Sequence, residues 1–274
     1  ANLPTSHPMN LGMPSQAILE WADVIVVLDA AVPWLPSAIS PRAETKLIHM
    51  AVDPLYSDLP FRGFEIDVAV AGSAELALPL LKQALDGKLK SKQKAVDARR
   101  STVKKMREDA VERRAKRIEE VKNAYPIHPV WTAHCINQVK NQDAIVVNEL
   151  GVPAPFLEIE TPNSLIGASA AGGLGRGLGA ALGAKLAARD RQVIGVVGDG
   201  SYMFGVPIAA HFVGQAQELP TLTMVSNNAV WLAVRGSTLA VYPEGSAAKA
   251  NSMPVTELTP SPDFEKAIES CGGS

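Results

Sequence analysis

The sequence predicts an α/β protein built from two doubly wound parallel-sheet units, a partial first domain and a C-terminal domain, joined by a long charged helix. Three observations predict it. Short, β-branched apolar runs alternate with helix-length segments. A stretch dense in lysine and arginine separates two such series. In the second series, polar and glycine-rich motifs follow the apolar runs, at the strand ends where open parallel sheets bind ligands.

In order, residues 22–29 (ADVIVVLD) form a continuous run that suits a strand buried on both faces of a parallel sheet. Residues 46–53 (KLIHMAVD) repeat the pattern and stop at Pro54, and residues 68–71 form a third, shorter run. Residues 74–85 carry Leu76, Leu80 and Leu85 at helical spacing. Residues 1–87 thus make a thin, partial first domain. Residues 88–124 hold more than half of the 26 Lys and Arg, with interspersed acids and a thin apolar stripe of Val103, Met106, Ala110 and Val111. Mixed signs without interleaved aromatics read as a solvated connecting helix rather than a nucleic-acid-binding one.

The second domain spans residues 125–274. A helix is predicted over 129–139, a buried strand over 143–149 (DAIVVNE), and a Gly/Ala-rich segment running into a helix over 165–187. Residues 192–197 (QVIGVV) form a strand that ends at Gly198-Asp199-Gly200-Ser201. A helix over 205–217 and a strand over 220–226 (PTLTMVS) follow, the latter ending at Asn227-Asn228. Residues 242–262 read as a Pro/Ser-rich loop.

The chain has 274 residues, 47% of them hydrophobic and 20% charged, with a net charge of −2. That is ample for one large or two ordinary cores, and it gives no reason to expect nucleic acid or a membrane surface as partner. No uninterrupted apolar stretch reaches the ~18 residues of a membrane span. Residues 1–15 lack the basic start and apolar run of a signal peptide. Cys135 and Cys271 stand far apart and read as free thiols in a reducing cytoplasm.

The chemistry lies in the pairing of two strand ends. Asp199 alone could be a turn residue or a helix N-cap. Asn228 changes that weighing, because adjacent parallel strands bring both ends within a few ångströms. A carboxylate and an amide oxygen are hard ligands suited to Mg²⁺, which shares its shell with phosphate oxygens. The glycines of the turn free backbone N–H groups to face an anion.

GDG, a helix-plus-strand gap and then NN resembles the signature of the thiamine-diphosphate enzymes. The upstream block, Gly172-Gly173-Leu174-Gly175, Ala180-Ala181-Leu182-Gly183-Ala184 and residues 191–197 (RQVIGVV), is similar to the segment that leads into it. The closest resemblance is to acetolactate synthase-like enzymes and benzoylformate decarboxylase, over nearly the whole chain. The resemblance implies that Asp199 and Asn228 bind Mg²⁺ through side chains and Val230 through its carbonyl. It implies that Gly200 and Ser201 contact the diphosphate, and that Gly173, Leu174 and Gly198 lie at the cofactor, Leu174 propping it into a bent shape. Trp231, Ala233 and Val234 would face the substrate as an apolar wall, with ordinary core packing as the alternative. The implied reaction is that of a lyase or carboligase on a 2-oxo acid such as pyruvate, or a benzoylformate-type decarboxylation, in a homodimer or tetramer.

There are departures. The gap between Asp199 and Asn228 is about two residues longer than usual, which a surface insertion before Pro220 absorbs. Gly151-Val152-Pro153 stands where acetolactate synthases carry Gly-Gln-His, and Ala233-Val234-Arg235 lacks the acid of pyruvate decarboxylases. The family's activating glutamate belongs to a pyrimidine-binding domain, and none here sits in that motif. The chain is therefore expected to be inactive alone, as a fragment of a longer chain or one subunit of a split enzyme. His134 and His211 read as structural. His49 and Asp53 end a strand where similar domains bind FAD or ADP, so a flavin is a minor alternative. Two other readings are a nicotinamide- or flavin-binding protein using Gly173-x-Gly175-x-Gly177, and a non-catalytic, regulatory nucleotide-binding module.

Overall fold

The computed structural model describes residues 3–59, 64–167, 173–250, 253 and 255–274, so Gly172 of the glycine motif lies outside the described residues. The chain divides into two compact units, one of Leu11–Ala110 and one of Ala1–Asn10 with Val111–Ser274.

The first unit contains α1 (Gln16–Trp21), β1 (Val24–Leu28), β2 (Lys46–Ala51), β3 (Val68–Ala71), α2 (Ala74–Leu89) and the start of α3 (Gln93–Val121). Its three strands lie in the order β1-β2-β3, all parallel. Because side chains alternate along a strand, Ile25 and Val27 face a core of Leu19, Trp34 and Leu47, with the Phe64 ring edge-on to Trp34 at 5.4 Å. Val24, Val26, Leu28 and Val68 stay exposed. The run over 22–29 predicts burial on both faces, whereas β1 is covered on one, and α2 leaves Leu76 and Leu80 exposed. The Lys46 ammonium bonds Asp67 at 2.6 Å, and Asp67 also accepts from Leu47 N at 2.8 Å. Those two partners, Lys46 first, hold the Asp67 carboxyl below its ordinary value.

α2 and α3 are joined by a 3₁₀ turn at Lys90–Lys92, so the charged stretch is helical nearly throughout. Ion pairs one turn apart support it, among them Arg117–Glu120 at 3.2 Å.

The second unit holds α4 (Pro129–Val139), β4 (Ile145–Glu149), β5 (Leu165–Ile166), α5 (Gly177–Ala187), β6 (Val193–Gly198), α6 (Asp199–Phe204), α7 (Pro207–Ala216), β7 (Leu222–Ser226), α8 (Leu232–Val241), α9 (Ser246–Lys249) and α10 (Phe264–Glu269). Its sheet runs β5-β4-β6-β7, every pairing parallel. Both faces are covered, as the fully buried strands β4 and β6 require. Val146, Ile194 and Val196 pack on Ala133 and Ile136 of α4, and Ile145, Val147 and Val193 pack on Ala181 and Ala184 of α5. Leu178, Val197, Tyr202 and Phe264 extend the second layer beneath α10. Residues 3–10 belong to this unit: Thr5 N donates to Ile159 O at 2.8 Å, and Thr5 Oγ1 donates to Glu160 at 2.8 Å.

Local chemistry fixes several helix starts. Pro129 occupies the first turn of α4, and His128 Nδ1 accepts from Val130 N at 3.1 Å. Asp263 caps α10 by accepting from Lys266 N at 3.3 Å. Helices α1, α6, α8, α9 and α10 and the short strand β5 go beyond the elements predicted from the sequence. Among the described residues, no helix is long and apolar enough to cross a membrane.

Candidate functional site

The register of β6 against β7 pairs Gly198 with Ser226, so Asp199 and the Asn227-Asn228 pair emerge side by side at the carboxyl edge of the sheet. Asp199 opens α6 and is 4% exposed. Its Oδ1 accepts from Gly200 N at 2.8 Å, and its Oδ2 accepts from Asn228 N at 3.2 Å across the strand boundary. Asn228 Oδ1 accepts from Val230 N at 3.0 Å, an Asx turn in which Ala229 takes a φ of 56°. The Val230 carbonyl accepts from Leu232 N at 2.8 Å. This turn is tied to a distal segment: Leu258 N donates to Ala229 O at 2.8 Å, and Trp231 N to Thr256 O at 2.7 Å.

Gly200 has a steric reason. A Cβ there would lie 2.6 Å from Cε3 of Trp231, whose indole therefore rests on the Gly200 backbone. Ser201 is buried beside them. The structure thus gathers Gly198, Asp199, Gly200, Ser201, Asn228, Val230 and Trp231. Ala233 and Val234 are exposed on α8, so they do not serve as core packing in this chain. Leu174 is half-buried and Gly173 exposed, in the turn before α5.

That turn has an owner which motif reading missed. Glu149, the last residue of β4, is 5% exposed. Its Oε1 accepts from Gly175 N at 2.7 Å and Arg176 N at 3.3 Å, and its Oε2 from Gly177 N at 2.6 Å. The donors that a phosphate-binding glycine loop would offer are therefore already committed to a carboxylate. A dinucleotide phosphate placed there would face a buried negative charge, which excludes Gly173-x-Gly175-x-Gly177 as its cradle. An acid ending a wholly buried strand was the available signal, because such a group needs several donors.

The other sequence candidates lie apart. His134 stacks on Trp131 at 5.0 Å along α4. His211 Nε2 lies 2.9 Å from the Tyr202 hydroxyl, and burial lowers the imidazole's pKa from its usual value. Burial first, then the charges of Cys271 and Glu265, raises the Tyr202 phenol. His49 is buried against Tyr56 in the first unit, where Asp53 accepts from Ser57 N at 2.7 Å. Cys135 is exposed and Cys271 half-buried, both as free thiols.

A cavity of about 190 Å³ opens beside Asp199, bounded by Met203, Leu258, Pro260 and Phe264. A larger one of about 400 Å³ is lined by His211, Leu219 and Cys271 and contains none of the predicted site residues. The first is the chemically relevant one, since it abuts the buried carboxylate. Among the described residues, no three His, Cys, Asp or Glu converge as a metal cage. A donor set of one carboxylate, one amide oxygen and one carbonyl fits a hard cation whose remaining ligands come from a phosphorylated cofactor.

Residues 150–274 match the family described as thiamine pyrophosphate enzyme, C-terminal TPP binding domain. Residues 150–274 are thus similar to the cofactor-binding domain of those enzymes. Two solved structures share the fold of the chain over 98% of its length. One is a thiamine diphosphate-dependent 4-hydroxybenzoylformate decarboxylase from Rhodococcus jostii RHA1, 22% identical with a TM-score of 0.59. The other, from Mycobacterium smegmatis, is assigned as a thiamin diphosphate-dependent enzyme and is 19% identical with a TM-score of 0.62. In each case 47% of the other protein is covered, so the chain spans about half the length of the structures it matches.

Proposed function

We propose that this chain is the cofactor-binding half of a thiamine-diphosphate- and Mg²⁺-dependent 2-oxo acid lyase or carboligase of the acetolactate synthase-like type. The observation that carries the reading is the Asp199–Asn228 pair: a buried carboxylate bonded at 3.2 Å to the backbone of the neighbouring strand end, inside a TPP-binding domain. In this reading Asp199, Asn228 and the Val230 carbonyl hold Mg²⁺. Gly198, Gly200 and Ser201 line the diphosphate, and Gly173 and Leu174 support the bend of the cofactor. Trp231, Ala233 and Val234 face the substrate. When bound, the cofactor supplies the electron sink for the carbanion left by loss of carbon dioxide from a 2-oxo acid. The chain's own residues bind and orient it and keep water from its reactive face.

We assign residues 1–87 to a partial central domain, 88–124 to a connecting helix and 125–274 to the cofactor domain, with residues 3–10 and the end of the connecting helix packed in the cofactor unit. The cavity beside Asp199 is smaller than the ~300–1,000 Å³ usual for ligand pockets, which supports completion of the site by a second domain. Met203, Phe204, Val206, Ile208 and Phe212 form an exposed apolar ridge on α6 and α7, the kind of surface such a domain would cover. We assign to that partner the pyrimidine-binding role and the activating glutamate, within the same or another chain of a homodimer or tetramer. Without it this chain is inactive. We also assign the protein to the cytoplasm, in keeping with the exposed thiol of Cys135.

A second reading, a benzoylformate-type decarboxylase, is favoured by the Rhodococcus neighbour and by Gly151-Val152-Pro153 after β4. Calorimetric titration of the native protein with thiamine diphosphate and Mg²⁺ tests the common core. Asp199→Ala is expected to abolish Mg²⁺-dependent binding, and retained tight binding would sink the assignment. Incubation with pyruvate and with benzoylformate separates the two fates: coupled acetohydroxy acids from the first reading, free aldehydes from the second.

A further inference from the structure

Glu149 has no part in the site described above, yet it is buried, charged and bonded through both oxygens to the turn that carries Leu174. We propose that Glu149 is a positioning residue of the cofactor site, fixing the 173–177 turn so that Leu174 stands preset to support the bound cofactor. The inference rests on the role given to Leu174 above.

The geometry leaves the turn little freedom. Gly175 adopts a φ of 82°, and a Cβ on it would lie 2.9 Å from the backbone of Gly205. A Cβ on Gly177 would lie 2.8 Å from Glu149 Oε2 and 2.6 Å from Val197 Cγ1. The turn is thus pressed between the Glu149 carboxylate and the end of α6, whose first turn carries Asp199. Gly205 itself closes α6 by donating to Ser201 O at 3.0 Å. On the other side, Leu150 bridges to Val197, and a Cβ on Gly151 would strike Val196 at 2.7 Å, so Glu149 cannot retreat along the strand. Leu174 is bonded directly to Gly175, the residue whose amide is held at 2.7 Å. A carboxylate serves here because it accepts at both oxygens; an amide offers one acceptor and turns an NH₂ toward the remaining donors.

The test is Glu149→Gln in the native protein, read three ways. In the cofactor-free protein, the Gly175 and Gly177 amides should exchange faster than in the wild type. By calorimetry, affinity for thiamine diphosphate with Mg²⁺ should fall about tenfold or more, the scale of one lost charge-assisted hydrogen bond. Affinity for inorganic pyrophosphate with Mg²⁺ should stay within about threefold, because that probe never reaches Leu174, and a Leu174→Ala/E149Q double variant should be no worse than either single one. Equal loss of both probes would reduce Glu149 to a folding role and overturn the proposal, as would unchanged affinity for both. A wild type that binds neither probe would overturn the proposed function along with it; wild-type binding lost in Asp199→Ala but kept in E149Q would overturn this inference alone. Should E149Q not fold, Glu149→Asp keeps the charge and gives up only reach, and the same ratio of the two affinities decides the matter.

Discussion

Replacing Gly175 with alanine isolates the turn before α5. Gly175 has a φ of 82°, and a methyl group there would meet Cα and N of Gly205 and the carbonyl carbon of Phe204, each at 2.9 Å. None of these is the tip of a flexible side chain. The left-handed conformation costs an L-residue about 1–2 kcal/mol. Overpacking against backbone that cannot rotate away adds about 1–3 kcal/mol. The stiffer unfolded chain returns about 0.4–1 kcal/mol. The net expectation is a destabilisation of about 1–4 kcal/mol. Gly173 supplies the control in the same turn, since among the described residues a Cβ there meets nothing within 4 Å. Urea titration followed by far-UV circular dichroism, with the slope checked for constancy, measures both variants. Gly175→Ala should lower the midpoint clearly and Gly173→Ala should leave it within about 0.5 kcal/mol. Equal effects at the two positions would refute the reasoning, because only the left-handed backbone and the Gly205 contact distinguish them.

Gly183 lies on the exposed side of α5 with nothing within 4 Å of an added Cβ, so Gly183→Ala should raise chemical stability by about 0.5–1 kcal/mol. Gly200→Ala places a methyl 2.6 Å from the indole of Trp231, so it should shift Trp231 fluorescence and weaken Mg²⁺-dependent thiamine diphosphate binding, with circular dichroism unchanged. His211 has a folded pKa lowered by burial, so the unfolded chain binds more protons in the window below the ordinary histidine value of about 6.5. Stability conferred by the neutral ring is complete above that value and is lost as the pH falls toward the lowered one. The melting temperature should therefore drop between pH 7.5 and 5.5, and His211→Gln should flatten that dependence.

What was legible in the sequence follows from range. The runs at 192–197 and 220–226 end at their polar motifs because a parallel strand and its following turn are local features, and β6 and β7 being neighbours then brings Asp199 to Asn228. α6 escaped the motif reading because its six residues start within the GDGS turn itself. α10 was missed for another reason: it is held by Phe264 packing on Tyr202, a contact between segments distant in sequence. Helix α8 begins at Leu232 without a side-chain cap, so no local start signal marks it. The β1 run reads as buried on both faces, but the covering of one face is not supplied by the residues around it, and Val24 and Val26 are exposed. Glu149 carries no local motif, because its donors stand 26 to 28 residues downstream.

Two buried carboxylates, Glu149 and Asp199, follow neighbouring strands at one edge of the sheet, and their bonding separates their tasks. An ionised carboxylate offers about four lone-pair sites. Glu149 receives three backbone N–H groups on its two oxygens and is nearly satisfied within the chain. Asp199 receives one N–H on each oxygen and keeps acceptor capacity beyond them. A buried charge left under-coordinated is costly, and it persists where a cation completes it. The two positions should therefore respond in opposite order to the loss of charge. Asp199→Asn should leave the cofactor-free protein close to wild-type stability, since desolvating an amide costs less than desolvating a carboxylate, while Mg²⁺-dependent binding disappears. Glu149→Gln should lower stability first, by about 1–3 kcal/mol for a disrupted charge-assisted cluster. Denaturation midpoints measured with and without Mg²⁺ and thiamine diphosphate give both comparisons. A stabilising response to the cation in Asp199→Asn, or a midpoint for Glu149→Gln equal to that of the wild type, would reverse the assignment of the two carboxylates.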